Sequence, residues 1–412
     1  MIFNKSLNAI KYINLTQKYV LILSLIGLLL PENISSFILI LFVFFSLIKI
    51  IIENKINYKL NKIYYIYLGF FAIFILSCFF SNETQIAFRS LQKNIVWLVL
   101  PILFSLSVSL NEREKFYILL KFALISQAYA IFIFLSACYK FYNGGEINVF
   151  FYDDLTTIIN FHPVYFSLYL LFSLSTIIVG YQKNVFKCSI YLILLLFIFD
   201  SFLLILLSSK NILLIFFILS IFFVFKHYNN RNWFVITFIL LIFMFKSSIT
   251  GQRFQDSIFS KWELLSKNTY SYDDEFTGVT LRLITWKLVI SSMNHEDYIL
   301  GIGSGDSQNF IDNTYKKYKM DGAGYLGYNM HNQFLEYFLR FGIVGISLYS
   351  VILFVSFKKA IEDRNFLYLI FLFSFSSLSL TESNLQVHRG LVYFVLFNSL
   401  FYFSNTPKKI SI

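Results

Sequence analysis

The chain has 412 residues, of which 57% are hydrophobic, 20% aromatic and only 14% charged, against about 25% charged in soluble domains. That composition excludes a water-soluble globular surface. The formal charge of +11 does not indicate nucleic acid, because the basic residues sit mostly in alternate short loops between apolar runs.

In chain order, apolar runs bounded by turn and charge signals predict spans near 19–31, 35–52, 63–80, 94–110, 116–138, 164–181, 188–207, 212–226, 233–249, 331–357, 366–381 and 388–404. The first is short and ends at Pro31, so a re-entrant hairpin with the second is its alternative. A basic stretch precedes it, as in a signal peptide, but no small-residue cleavage site follows and a retained helix is expected. Lys5, Lys11 and Lys18 come before the first span, Lys55, Lys59 and Lys62 after the second, and Arg113 and Lys115 after the fourth. Lys183, Lys187, Lys226, Arg231, Lys358, Lys359, Arg364, Lys408 and Lys409 continue the alternation. The positive-inside rule then makes these loops and both termini cytoplasmic. Cys78, Cys138 and Cys188 fall in or beside apolar runs without metal or disulfide spacing and are read as packing residues.

Apolar density falls from Thr250 to Met330. The expected architecture is an all-α integral membrane protein of about twelve transmembrane helices, with one large external (periplasmic) loop between spans nine and ten. It divides as 1–249 (spans one to nine), 250–330 (external loop) and 331–412 (spans ten to twelve and a short cytoplasmic tail).

Ionisable residues at membrane depth are costly and therefore functional candidates. His331 and Asn332 open the tenth span, with Glu336 and Arg340 further in at i, i+4 spacing, which reads first as a structural ion pair. His331 sits where water, a sugar hydroxyl and a lipid headgroup meet, and an imidazole accepts a proton near neutral pH; a capping histidine is the equal alternative. A short helix at TGVTLRLITWKLV carries Arg282 and Trp286 on one face. The indole suits the membrane interface, and the guanidinium offers a planar fork to phosphate, although a snorkelling arginine is the plainer reading. Lys210, at the turn between spans seven and eight, is either snorkelling or an anion contact. Thr381, Glu382, His388 and Arg389 mark the last external turn, and His162-Pro163 the start of the sixth span. Gly301, Gly303 and Gly305 lack GxGxxG spacing and predict a tight turn. Asp273, Asp274 and Glu275 are either a divalent-ion or acid–base cluster or, more plainly, solvated acids.

The segments LRLITWKLVISSMNHEDYILGIGSGDS and MHNQFLEYFLRFGIVGISLYS resemble the shared domain of bacterial O-antigen ligases and O-antigen polymerases. The pattern is an Arg a turn before a Trp, a Gly-x-Gly turn, then His-Asn opening a helix that ends Gly-x-x-Gly. TESNLQVHRGLVYFVLF is similar to the family's closing segment. The resemblance implies an inverting, metal-independent glycosyltransferase that needs no cofactor. It would move a glycan from an undecaprenyl-diphosphate carrier to an acceptor hydroxyl at the periplasmic face of the bacterial inner membrane. It also implies His331 as general base and Arg282 as diphosphate ligand, with Lys210 standing where the family has an Arg in a Ser-Arg turn. Asn332, Trp286, Glu382 and Arg389 are the expected supporting residues. Arg340 departs from the acidic residue the family often has.

The first reading is an O-antigen ligase attaching O-polysaccharide to lipid A-core in lipopolysaccharide biosynthesis. The second is a polymerase whose acceptor is another lipid-linked glycan. A transporter or flippase, from a different class, would place paired charges near the bilayer midplane, whereas the candidates here gather toward one face.

Overall fold

The computed structural model describes residues 2–53, 63–226, 261–271 and 273–403; the predicted ninth span, 233–249, lies outside them. The described chain is helical throughout, without a β-strand. Six stretches are long and apolar enough to cross a membrane: Glu32–Ile52, Ile63–Phe80, Thr84–Ser107, Glu112–Tyr142, Pro163–Gln182 and Gln333–Glu362. Ile190–Leu206, Lys210–Ile221 and Phe366–Ser379 are shorter apolar helices. The chain is thus a multi-pass membrane protein.

The helices, in order, are α1 (Ile2–Gly27), α2 (Glu32–Ile52), α3 (Ile63–Phe80), α4 (Thr84–Asn94), α5 (Val96–Ser107), α6 (Glu112–Tyr142), α7 (Tyr152–Thr156), α8 (Pro163–Gln182), α9 (Ile190–Leu206) and α10 (Lys210–Lys226). After residue 261 come α11 (Gly278–Ser292), α12 (His295–Leu300), α13 (Ser307–Lys317), α14 (Gln333–Glu362), α15 (Phe366–Ser379) and α16 (His388–Phe403). Two expectations are corrected. The first helix begins at residue 2 and ends at Gly27, so it is neither short nor carried to Pro31, which instead precedes α2. Its polar residues masked it: Gln17, buried past its midpoint, donates to Ser46 Oγ (2.9 Å) and Ser107 Oγ (2.7 Å) and accepts from Lys49 Nζ (3.0 Å). The predicted span 94–110 is instead α4 and α5, which break at Ile95 and start ten residues earlier.

The bundle is apolar on its outside as well as in its core. On α2, Phe37, Ile40, Phe44, Leu47 and Ile51 recur at three- and four-residue spacing on the exposed side, while Phe42, Ser46 and Lys49 face inward. An exposed apolar stripe of that period is what a helix presents to hydrocarbon. At the centre stand α8, nearly all buried, and α16, buried from Arg389 to Phe401. They interlock through Tyr169 stacked on Tyr393 (4.6 Å) and Phe172 edge-on to Phe397 (5.2 Å). Ser167, Ser173, Ser175 and Thr176 satisfy their hydroxyls on carbonyls four residues back, which lets small polar residues pack inside this helix.

Cross-links sort the helix ends. The start of α2 meets α16 where His388 Nε2 approaches Ser35 Oγ (3.4 Å), and α10 meets α15 where Asn211 Nδ2 donates to the Ser377 carbonyl (2.8 Å). Lys93, at the end of α4, donates to the Gln386 carbonyl. The Gln17–Ser46–Lys49–Ser107 network and the Lys18–Glu114 pair lie at the opposite end. Residues 261–330 bury an apolar cluster of their own, including Leu264, Ile284, Leu288, Ile311 and Tyr315, which reaches Leu339 on α14. Burial there pushes the Tyr315 phenol up to about 12, while its hydroxyl bonds Thr285 (3.0 Å).

This segment meets α14 backbone to backbone. Ile302 and Gly303 donate to the Leu339 and Arg340 carbonyls (2.8 and 3.0 Å), and α14 is interrupted at Gly342, φ +60°. Gly301, φ +78°, turns tightly as expected. The closeness of its approach was not foreseen: a Cβ there would lie 2.3 Å from Phe341 N, and one at Gly342 would lie 2.2 Å from the Ile299 oxygen.

Candidate active site

The site is built on the first turn of α14. Asn332 caps it, its amide oxygen accepting from Phe334 N (3.0 Å) and Leu335 N (3.1 Å), while its amide nitrogen donates to the Leu380 carbonyl (3.1 Å). Both functions of the side chain are therefore spent on position. His331 stands just outside the cap with φ +45°, a conformation that costs an L-residue roughly 1–2 kcal/mol and clusters at functional sites. Its neighbours hold it there. His331 N donates to Asn329 Oδ1 (2.9 Å), the Trp286 indole N–H donates to the Met330 carbonyl (2.7 Å), and Asn332 N donates to Ser383 Oγ (3.3 Å). Trp286 is thus a strut beneath the histidine.

Glu382 closes the site from the turn between α15 and α16. One carboxylate oxygen lies 3.2 Å from His331 Nδ1 and the other 2.9 Å from Arg282 Nη2. The three side chains are between a fifth and a third exposed, open to a ligand yet shielded enough to strengthen their mutual interaction. Arg282 and Trp286 lie at i, i+4 on α11, which begins with a Thr277–Thr280 capping box. One helix face therefore sends the guanidinium to Glu382 and the indole to Met330. A carboxylate at Nδ1 assigns the proton to that nitrogen and leaves Nε2 with its lone pair. The constellation is an imidazole held by a carboxylate beside a guanidinium.

Lys210 opens α10. Its neighbour Asn211 donates to the Ser377 carbonyl (2.8 Å) and Thr381 Oγ1 (2.9 Å), so α10 starts beside the residue preceding Glu382. Arg389 goes elsewhere. Its Nη1 donates to the Asn160 carbonyl (2.8 Å), its guanidinium lies 3.8 Å above the Phe161 ring, and it lines a separate cavity with Glu32 and His162. His162 caps α8, its Nδ1 accepting from Val164 N (3.4 Å). Asp274 and Glu275 are engaged by Lys267 (2.5 Å) and Lys261 (2.8 Å), and the Lys267 partner holds the Asp274 carboxyl below the usual range.

The Glu336–Arg340 pair forms as expected, Nε to Oε1 at 2.8 Å. Its second link was missed: Glu336 Oε2 accepts from Ser383 Oγ (3.3 Å), tying α14 to the residue after Glu382. The available signal was a glutamate within one turn of a His-Asn helix start, but nothing local marks Ser383 as its partner.

Residues 192–350 match the family model described as O-antigen ligase. The match contains Lys210, Arg282, Trp286, His331 and Asn332, and it ends before Glu382 and Arg389. No curated protein matches the chain.

Proposed function

We propose, from the O-antigen ligase domain this chain carries, that it transfers a glycan from an undecaprenyl-diphosphate carrier to an acceptor hydroxyl. The observation that supports this is the His331–Glu382–Arg282 constellation at the head of α14. His331 Nε2 takes the proton of the acceptor hydroxyl as its oxygen attacks the anomeric carbon from the face opposite the diphosphate. The bond from that carbon to the diphosphate oxygen breaks, the configuration inverts, and the leaving diphosphate carries away the electron pair. Glu382 steadies the imidazolium so formed. Arg282 and Lys210 face the negative charge that grows on the departing group, which is already a good leaving group and so places little demand on metal assistance.

The acceptor we propose is lipid A-core, which makes the enzyme an O-antigen ligase of the bacterial inner membrane. The alternation of basic loops supports a topology with His331 on the periplasmic side, both termini in the cytoplasm, and 250–330 as an external segment between membrane portions 1–249 and 331–412.

The test is a gene deletion complemented with wild type, His331→Ala or Arg282→Ala, with surface glycans resolved on gels and each variant's presence in the membrane confirmed. Bare lipid A-core, accumulated lipid-linked polymer and failure of both variants to restore attachment are expected. Single-repeat products would make the enzyme a polymerase acting on a second lipid-linked glycan, and full rescue by both variants would overturn the site.

A further inference from the structure

The starts of α2, α8 and α16 surround a cavity of about 500 Å³, lined by Glu32, Asn33, Asn160, His162 and Arg389. It shares no residue with the His331–Glu382–Arg282 cluster. A second cavity, of about 600 Å³, has Pro31, Ile159 and Asn160 in common with it and continues as an apolar cleft along Leu29, Ala128, Tyr129 and Phe132. Phe132 and Ile158 are 52% and 47% exposed, so the cleft opens on the outside of the bundle. Phe132 lies well before the end of α6 at Tyr142, roughly 15 Å along the axis. Three apolar helices begin at the first cavity and the cleft runs inward from it. The first therefore stands at headgroup level and the second among acyl chains.

The polar cavity holds two opposite charges that the protein leaves apart. Arg389 is only 9% exposed. Its guanidinium packs on the Phe161 ring (3.8 Å), and its Nη1 donates to the Asn160 carbonyl (2.8 Å), set in place by the left-handed turn at Asn160, φ +48°. Its Nε has no partner within the protein. Arg282 and Arg340 each have a carboxylate, whereas among the described residues Arg389 has none. A guanidinium so buried is costly unless an anion meets it. Glu32, in the first turn of α2, is exposed and makes no ion pair among the described residues. His162 spends Nδ1 on Val164 N (3.4 Å), which puts its proton on Nε2 as a further donor.

We infer that the two cavities together hold a phospholipid whose headgroup joins a phosphate to a primary ammonium group, as in phosphatidylethanolamine. The phosphate meets Arg389, with His162 as a second donor, the ammonium reaches Glu32, and an acyl chain lies in the cleft along Phe132. Charge selects this class. One guanidinium and one carboxylate line the cavity, which matches a zwitterion, whereas a headgroup with no cation of its own would set Glu32 against a phosphate. The three N–H donors of a primary ammonium also satisfy a carboxylate as a quaternary amine cannot. Such a lipid ties the α1–α2 turn to the start of α8 and to α16. The inference is independent of the transfer reading, because it uses none of the residues assigned to that chemistry.

The test places a photoreactive phenylalanine analogue at Phe132, and separately at Phe354, which faces outward on α14. The full-length protein is held in detergent micelles with radiolabelled phosphatidylethanolamine as probe. Labelling at Phe132 is expected to exceed that at Phe354. Unlabelled phosphatidylethanolamine should compete at a roughly tenfold lower concentration than phosphatidylglycerol or phosphatidylcholine. Glu32→Gln should bring the three lipids level at an unchanged thermal midpoint, and Arg389→Gln should remove the labelling. Arg389 is buried, so where its replacement lowers the thermal midpoint the exposed Glu32 decides. Equal labelling at the two positions, equal competition by phosphatidylglycerol, or a preference that survives Glu32→Gln overturns the inference.

Discussion

The Glu382 carboxylate lies 3.2 Å from His331 Nδ1, across 51 residues of sequence. In the proposed transfer His331 is the base and Glu382 orients its ring. His331→Ala should lower the transfer rate by about 10²- to 10⁴-fold, the usual contribution of proton transfer. Glu382→Gln should cause a smaller fall, in kcat with little change in KM for either substrate, because the ring is misoriented while binding is kept. Steady-state transfer with purified donor and acceptor measures both, and an unaltered kcat in Glu382→Gln would remove the carboxylate from the mechanism.

Arg282 gives Nη2 to Glu382 at 2.9 Å. Arg282→Lys keeps the charge but loses the planar fork. A donor KM raised about tenfold is expected, the size of one charge-assisted hydrogen bond, with Arg282→Ala worse. Titration with an undecaprenyl-diphosphate glycan reads the difference, and equal KM values in wild type and Arg282→Lys would count against the diphosphate role.

Trp286→Phe keeps an aromatic ring, though a smaller one, and deletes the N–H that satisfies the Met330 carbonyl. Stability should drop by about 1–2 kcal/mol. Transfer should fall beyond what the drop in folded protein explains, because the carbonyl precedes His331. Thermal unfolding in detergent alongside specific activity of the folded fraction separates the two effects.

The membrane helices were legible because the bilayer demands long apolar runs, and the structure places helices at the predicted spans among the described residues. What the runs hid were polar helices: the first half of α1, and α4 with its break at Ile95. His331, Arg282 and Trp286 could be singled out from local pattern. Their relationship could not, since Glu382, Ser383 and Asn332 meet only through tertiary packing. Arg389 shows the converse: it neighbours Glu382 in sequence, yet packing turns it to Asn160 and Phe161.

Gly301 and Gly342 permit a close backbone approach in the site's support. Alanine at either position adds a Cβ at 2.3 or 2.2 Å from main-chain atoms, in a positive-φ conformation. Each should cost about 2–4 kcal/mol, read as a lowered thermal midpoint, and a midpoint within error of wild type would show that the crossing relaxes.

Asp274 pairs with Lys267 and accepts from the Ser271 N–H (3.0 Å), and its carboxyl sits below the ordinary range. The stability it adds is complete above the unfolded value, about 3.9, and is lost as pH falls through the depressed folded value. Protection of the Ser271 amide from exchange, taken relative to its intrinsic rate at each pH, should therefore fall in acid, and Asp274→Asn should lower it at neutral pH and flatten the acid response. Identical profiles would remove Asp274 from the pH dependence of this turn.

Because the histidine and its carboxylate partner sit on either side of α15, a ribosome making this chain finishes the imidazole long before the group that orients it. Until the last hairpin has inserted, His331 has no carboxylate beside it and Ser383 does not yet clasp Glu336. The cluster is therefore complete only once residues 382 and 383 have folded back onto the start of α14.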